Sequence, residues 1–252
     1  MKLTGIIGGT GLTQLDGLNL QHHETVNTPY GAPSSALVYG SLHGRELVFL
    51  ARHGDPHTIP PHRINYRANL WAMRAAGVDS VIAVAAVGGI GEPAEPGRVV
   101  IPDQIIDYTW NRAHTVFDDI DTAVTHIDFS HPYSSCVRHT LLTAARLAHV
   151  VVVDGGVYGC TQGPRLETIA EIKRMQQDGC TLVGMTGMPE AALARELGLP
   201  YACCAVVANR AAGLSGNAEI TMDEIHANLV AGMKDVHQIL KCLNHADQTA
   251  AG

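Results

Sequence analysis

Short apolar runs rich in β-branched residues alternate with helical stretches along nearly the whole chain, and this alternation is the strongest constraint on its fold. Residues 3–7, 47–51, 81–87, 99–101, 150–153, 181–184 and 201–207 read as strands. Several are apolar without alternation, as expected of strands covered on both faces. Between them, residues 65–76, 134–148, 168–177, 189–197 and 222–243 read as helices. Pro189 suits a first helical turn, Gly198 follows the last, and Thr221-Met222-Asp223-Glu224 reads as a cap followed by acidic residues. The pattern predicts an α/β chain. Its 252 residues suit a single domain, taken here as 1–244, with 245–252 expected to be a flexible tail. The polar, His-rich stretch 107–133 lacks periodicity, and a loop of that length in a compact domain is usually functional.

Composition narrows the function classes. Hydrophobic residues make up 46% of the chain and charged residues 16%, so a sizeable core is expected. Seventeen Lys and Arg stand against 24 Asp and Glu, for a net charge of -7, which argues against a nucleic-acid or anionic-membrane surface. Six cysteines form no CxxC pair or zinc-ligand spacing and read as buried apolar residues in a reducing cytoplasm. No apolar run approaches the ~18 residues of a membrane span. His53, His57 and His62 are separated by Pro56, Pro60 and Pro61, so no helix places two of them on one face, and no metal site is expected.

Glycine-rich turns follow the strands. Gly8-Gly9-Thr10-Gly11 comes directly after the first, where backbone N–H groups and the Thr10 hydroxyl suit an oxyanion. It fits neither a dinucleotide fingerprint nor a P-loop, and a plain tight turn reads equally well. Ala85-Ala86-Val87-Gly88-Gly89 closes another strand in the same manner. Arg52-His53 ends the run Leu47–Ala51, and its guanidinium suits either phosphate or a structural salt bridge. In open α/β sheets ligands gather at the carboxyl ends of strands, so these turns have reason to converge.

Later segments offer matching elements. Glu167, in Gly163-Pro164-Arg165-Leu166-Glu167-Thr168, is either a helix-start cap or an acceptor for a purine N–H edge. Met185-Thr186 precedes a helix start, where a hydroxyl and free N–H groups suit an anion and Met185 suits an apolar floor. Asn209 ends a buried strand, and its amide both donates and accepts, as the O6 and N7 edge of a 6-oxopurine requires.

Together these segments resemble the trimeric purine nucleoside phosphorylase and methylthioadenosine phosphorylase family over essentially the whole domain. The carriers are Ile6–Leu12, Arg52-His53-Gly54 with His57, Asn65–Asn69, Gly163–Thr168, and Met185-Thr186 through Pro189-Glu190. The resemblance implies a central mixed β-sheet flanked by helices, the nucleoside phosphorylase fold, and a homo-oligomer, trimeric or hexameric. It implies inorganic phosphate as co-substrate and no cofactor, with phosphate on Thr10, Arg52, His53, Ala85, Ala86 and Thr186. Met185 would lie under the ribose, Asn209, Arg210 and Ala211 would flank the base, and His126 would reach a neighbour's 5′ pocket. Asn209, Thr186 and Arg52 would form the catalytic set.

Two departures from the family pattern bear on the substrate. Members that take adenine carry two Asp residues where this chain has Asn209 and Ala211, whereas Asn209 with Glu167 matches the 6-oxopurine pair. Members that accept a free 5′-hydroxyl place a His near the start of the last long helix, where this chain has Met222. A purine nucleoside with a 6-oxo base and a 5′-methylthio sugar is the expected substrate. Methylthioadenosine, inosine or guanosine are the alternatives, and a non-catalytic nucleoside-binding protein is the rival from another class.

Overall fold

The computed structural model describes residues 3–9, 17–118, 123–215 and 219–250. Four parallel strands form its centre: β1 (Thr4–Gly8), β4 (Arg45–Ala51), β5 (Ser80–Gly89) and β11 (Tyr201–Arg210). β1 lies between β4 and β5, and β11 runs along the length of β5. The hairpin of β2 (Leu18–Glu24) and β3 (Leu37–Leu42) extends one edge antiparallel to β4. Near the far end of β5, β10 (Leu182–Gly184) pairs antiparallel, followed by β9 (Val157–Cys160) and β7 (Gln104–Asp107). A second branch runs from β11 to β6 (Val99–Ile101) and β8 (Val152–Asp154). The result is a mixed eleven-stranded sheet that forks at β5.

Helices cover both faces, which is why the central strands are apolar without alternation. Successive side chains of a strand point to opposite faces. Ile7 accordingly packs with Leu70 and Met73 of α1 (Tyr66–Ala75) and Leu193 of α4 (Gly187–Glu196). Ile6 faces the other way, into Leu141 of α2 (Ser135–Leu147), Ile239 of α5 (Met222–Lys241) and Leu243 of α6 (Leu243–Ala250). The remaining helix, α3 (Ile169–Gln177), opens on a reciprocal capping box between Thr168 and Glu171. Among the described residues no helix is long and apolar enough to cross a membrane.

The structure departs from the sequence expectations in three places. Strands β2, β3, β7 and β9 were not expected. β2 is exposed over all but its first residue, so its sequence LNLQHHE carries no buried run to betray it. The expected helix at 189–197 begins two residues earlier, at Gly187, with Met188 in an extended conformation inside it. Of the stretch 245–252 expected as a flexible tail, residues 245–250 belong to α6, in which Leu243 and Ala246 are fully buried and Asp247 accepts hydrogen bonds from Arg45 and Thr140; the last two lie outside the described residues. The stretch between β7 and α2 does hold neither helix nor strand among its described residues.

Candidate active site

The parallel register carries the turns to one place. Gly8 lies opposite Ala51, and the Arg52 N–H extends the ladder to the Gly8 carbonyl at 2.9 Å. Gly9 and Arg52 therefore leave the sheet side by side. β5 and β11 end nearby, and the turn after β10 meets them from the opposite direction. Together they enclose a cavity of about 440 Å³.

Arg52 lines this cavity, yet its side chain is buried and largely committed. Nε and Nη2 donate to the two carboxylate oxygens of Glu190 at 2.7 and 2.8 Å, and Nη1 and Nη2 also reach the carbonyls of Val84 and Ile7. Burial opposes the charge, but the Glu190 carboxylate outweighs it and holds the guanidinium protonated. Of the five N–H bonds of a guanidinium, one on Nη1 is left by these contacts.

His53 stacks on His57 at 4.3 Å between ring centroids, and both line the cavity. His53 Nδ1 lies 2.8 Å from the Ile59 carbonyl, which only accepts, so Nδ1 carries the proton and Nε2 a lone pair. Burial pushes the imidazole down to about 4, with Arg52 and His57 adding to the effect against the Ile59 bond. The ring is neutral at pH 7.

Asn209 owes its position to a bulge. The pairing of β11 with β5 slips between Val207 and Asn209, with Ala208 as the extra residue, and such bulges re-aim side chains beside active sites. The Asn209 carboxamide donates to the Arg210 carbonyl at 2.7 Å. Glu167 joins the cavity from the turn before α3, its Oε1 accepting from the Thr161 hydroxyl at 2.7 Å. Burial raises its pKa, opposed by the Thr161 hydrogen bond. Gly163 lets Met185 sit close: its φ is +60°, and a Cβ there would lie 2.4 Å from the Met185 sulfur. Thr186 follows Met185 on the wall and is the N-cap residue of α4.

Ala85, Ala86 and Ala211 complete the residues brought together from the sequence reading. Three others are not on the cavity wall. Arg210 turns away to the Gly91 carbonyl and the Glu95 carboxylate. Met222 is 73% exposed. His126 is exposed and does not line the cavity. Thr10 lies outside the described residues. Conversely, sequence reasoning assigned no role to Ile225, Leu229 and Met233 of α5, which form an apolar wall with Val206 and Ile220. Their spacing, i, i+4 and i+8, was legible as one helix face, but a core face looks identical. Among the described residues no cluster of three or more His, Cys, Asp or Glu side chains could hold a metal ion.

The cavity thus combines the Arg52 guanidinium, the neutral His53 ring and the Thr186 hydroxyl at the strand ends, an amide and a carboxylate from β11 and the α3 turn, and an apolar wall from α5. Relatives share this chain over nearly its full length. A probable S-methyl-5′-thioinosine phosphorylase from Pseudomonas syringae pv. tomato is 55% identical, covering 95% of this chain and 97% of its own. A second protein with that description, from Xanthomonas campestris pv. campestris, is 52% identical over 93% and 94% of the two chains. The crystal structure of a methylthioadenosine phosphorylase sourced from an antarctic soil metagenomic library superposes with a TM-score of 0.91 at 34% identity, covering 99% of this chain and 87% of that one. A family model described as the phosphorylase superfamily matches residues 4–243, from the first strand that frames the cavity to the start of the helix that closes the fold. With every wall of the cavity inside that span, the chain belongs to the phosphorylase superfamily.

Proposed function

We propose that the protein cleaves S-methyl-5′-thioinosine with inorganic phosphate, giving hypoxanthine and 5-methylthioribose 1-phosphate. The observation that carries this reading is the joint presence of Asn209, Glu167 and the α5 apolar wall on one cavity. A carboxamide can donate to O6 of a 6-oxopurine and accept from N7 once that atom is protonated, and Glu167 can accept from its N1–H. The wall of Ile225, Leu229 and Met233 suits a methylthio group, whereas a hydroxyl facing it would lose a hydrogen bond, at about 1–3 kcal/mol. The descriptions of the two relatives quoted above agree with this choice.

In this mechanism a phosphate oxygen bonds to C1′ as the bond from C1′ to N9 breaks, and the bonding pair leaves with the purine. Phosphate sits among the backbone amides of Gly9, Ala85 and Ala86, the Thr186 hydroxyl and the remaining Arg52 N–H, with Thr10 completing the cradle by resemblance. Neutral His53 offers Nε2 as an acceptor for the proton of hydrogen phosphate, which turns an unprotonated oxygen toward the sugar. Positive charge at C1′ is stabilised by the phosphate, and negative charge on the purine by Asn209 at O6 and by a proton that water delivers to N7, the water being reprotonated by the proton that hydrogen phosphate loses as the ester forms. The chemistry calls for no cofactor. A homo-oligomer, trimeric on the resemblance, belongs to the same proposal and is checked by sedimentation equilibrium.

The test is phosphate-dependent release of base from methylthioinosine, methylthioadenosine and inosine at matched concentrations. Preference for methylthioinosine is expected. Preference for inosine or methylthioadenosine would reassign the substrate, and binding without cleavage under saturating phosphate would make the protein a nucleoside binder.

A further inference from the structure

Arg112 comes from the irregular stretch between β7 and α2 and is 8% exposed. Among the described residues no carboxylate pairs with this cation. Its Nε donates to the Gln162 side-chain oxygen at 3.1 Å. Nη2 donates to the Thr161 and Gln162 carbonyls at 3.1 and 2.9 Å. Nη1 serves the Met185 and Met188 carbonyls at 2.9 and 2.5 Å and lies 3.3 Å from the Tyr66 hydroxyl. The guanidinium also lies over the Tyr66 ring, 5.5 Å from its centroid.

A charge this well buried is costly unless its hydrogen bonds are complete, and here the acceptors belong to two chain segments that flank the cavity. The first segment holds Glu167, because Thr161 gives its carbonyl to Arg112 and its hydroxyl to the Glu167 carboxylate. The second is the Met185–Met188 turn, which presents Met185 and Thr186 to the cavity. The Thr161 N–H also bonds the Gly184 carbonyl at 2.7 Å, so the two segments are already adjacent and the fork fixes their offset.

Accordingly, we infer that Arg112 is a positioning residue that locks the purine-reading carboxylate in register with the sugar and phosphate floor, so that base and phosphate bind as coupled ligands. This rests on the function proposed above for the same cavity. Arg112 itself lies behind the wall and touches no reacting atom. A lysine in its place keeps the charge but presents one ammonium rather than a planar fork, and cannot span both segments.

The experiment measures equilibrium binding of hypoxanthine with and without saturating inorganic phosphate, in wild type, R112K and R112Q, beside thermal melting and phosphorolysis of methylthioinosine. In wild type, phosphate is expected to tighten hypoxanthine at least about fivefold, within the usual range of coupling between sites. In folded R112K and R112Q the tightening should fall below about twofold, with a loss of kcat larger than the change in either ligand's separate affinity. Coupling retained in R112K, or lost only in proportion to the folded fraction, would overturn the assignment. If both variants fail to fold, Gln162→Ala removes the Nε acceptor, which also accepts the Trp110 N–H, while leaving the Nη1 and Nη2 bonds, and should lower the coupling partway; coupling equal to wild type then counts against it. Because coupling is read without turnover, a wild type that binds both ligands yet cleaves nothing would overturn the proposed function while still judging Arg112. Binding of neither ligand would overturn both.

Discussion

Arg52 and Glu190 form a two-point ion pair, with Nε to Oε2 at 2.7 Å and Nη2 to Oε1 at 2.8 Å, and both side chains are shut away from solvent. Tyr201 adds a third contact, its hydroxyl donating to Glu190 Oε1 at 2.9 Å. The cation at the strand ends is thus matched by an internal carboxylate, and a phosphate bound as proposed would meet an oriented N–H more than an unpaired charge. Removing one partner of a buried pair leaves the other uncompensated, which typically costs about 3–5 kcal/mol. Glu190→Gln should lower the urea midpoint by a corresponding amount and weaken phosphate binding as Arg52 loses its fixed orientation. A midpoint unchanged from wild type would show that the pair contributes nothing.

A similar cation anchors the C-terminus. Arg45 is buried, donating twice to the Thr4 hydroxyl and pairing with Asp247 at 2.7 Å. Truncation after Cys242 would strip Leu243 and Ala246 from the core and take Asp247 away from Arg45. The truncated protein is expected to lose about 3–5 kcal/mol of stability, read from its denaturant midpoint. A dispensable tail would leave the melt where it was.

The parallel centre was legible because β1, β4, β5 and β11 are largely buried on both faces and are apolar along most of their length. The hairpin strand β2 was illegible because exposure leaves its composition free. The Gly-Gly turn, Arg52-His53, Glu167 and Met185-Thr186 were legible by type, since each follows a strand or opens a helix. The partners of Arg52 and Arg112 were not, because Glu190 is 138 residues from Arg52 along the chain and the Met188 carbonyl is 76 from Arg112, and no local pattern encodes such meetings. The Arg210 side chain was hidden for a different reason: it neighbours Asn209 in sequence, but strand alternation and a carboxylate at Glu95 draw it to the other side.

Base selection is expected to follow Asn209. Its amide presents a donor to O6, and a carboxylate there would instead accept from the 6-amino group of adenine. Mispairing a buried polar group costs about 1–3 kcal/mol. Asn209→Asp should therefore shift the ratio of kcat/KM for methylthioinosine over methylthioadenosine toward the amino purine by about tenfold or more. An unchanged ratio would remove Asn209 from base recognition.

Selection at the sugar's 5′ end is expected to reside on the inner face of α5 rather than at its first residue. Leu229 lines the cavity, while Met222 is exposed. Leu229→Asn replaces apolar surface with an amide and should reduce kcat/KM for methylthioinosine about tenfold, with inosine affected less. Met222→Ala should leave both within about twofold, as exposed positions usually do. The reverse pattern would return the specificity role to Met222.

Acid sensitivity is expected to trace to His53. Its folded pKa of about 4 lies below the ordinary value of 6.5, so the fold favours the neutral ring. Between those values the unfolded chain binds more protons than the native one, and stability must rise with pH. The contribution of His53 is complete above pH 6.5 and is lost as pH falls toward 4. Function carries the same sign, because protonating Nε2 turns an acceptor into a donor and evicts the phosphate proton it would receive. Wild type should therefore lose stability on acidification through this window more steeply than His53→Gln, and its phosphate KM should rise relative to that of the variant only near the bottom of it. Stabilities of wild type and His53→Gln that fall in parallel between pH 6.5 and 4 would mean that the ring is not held neutral.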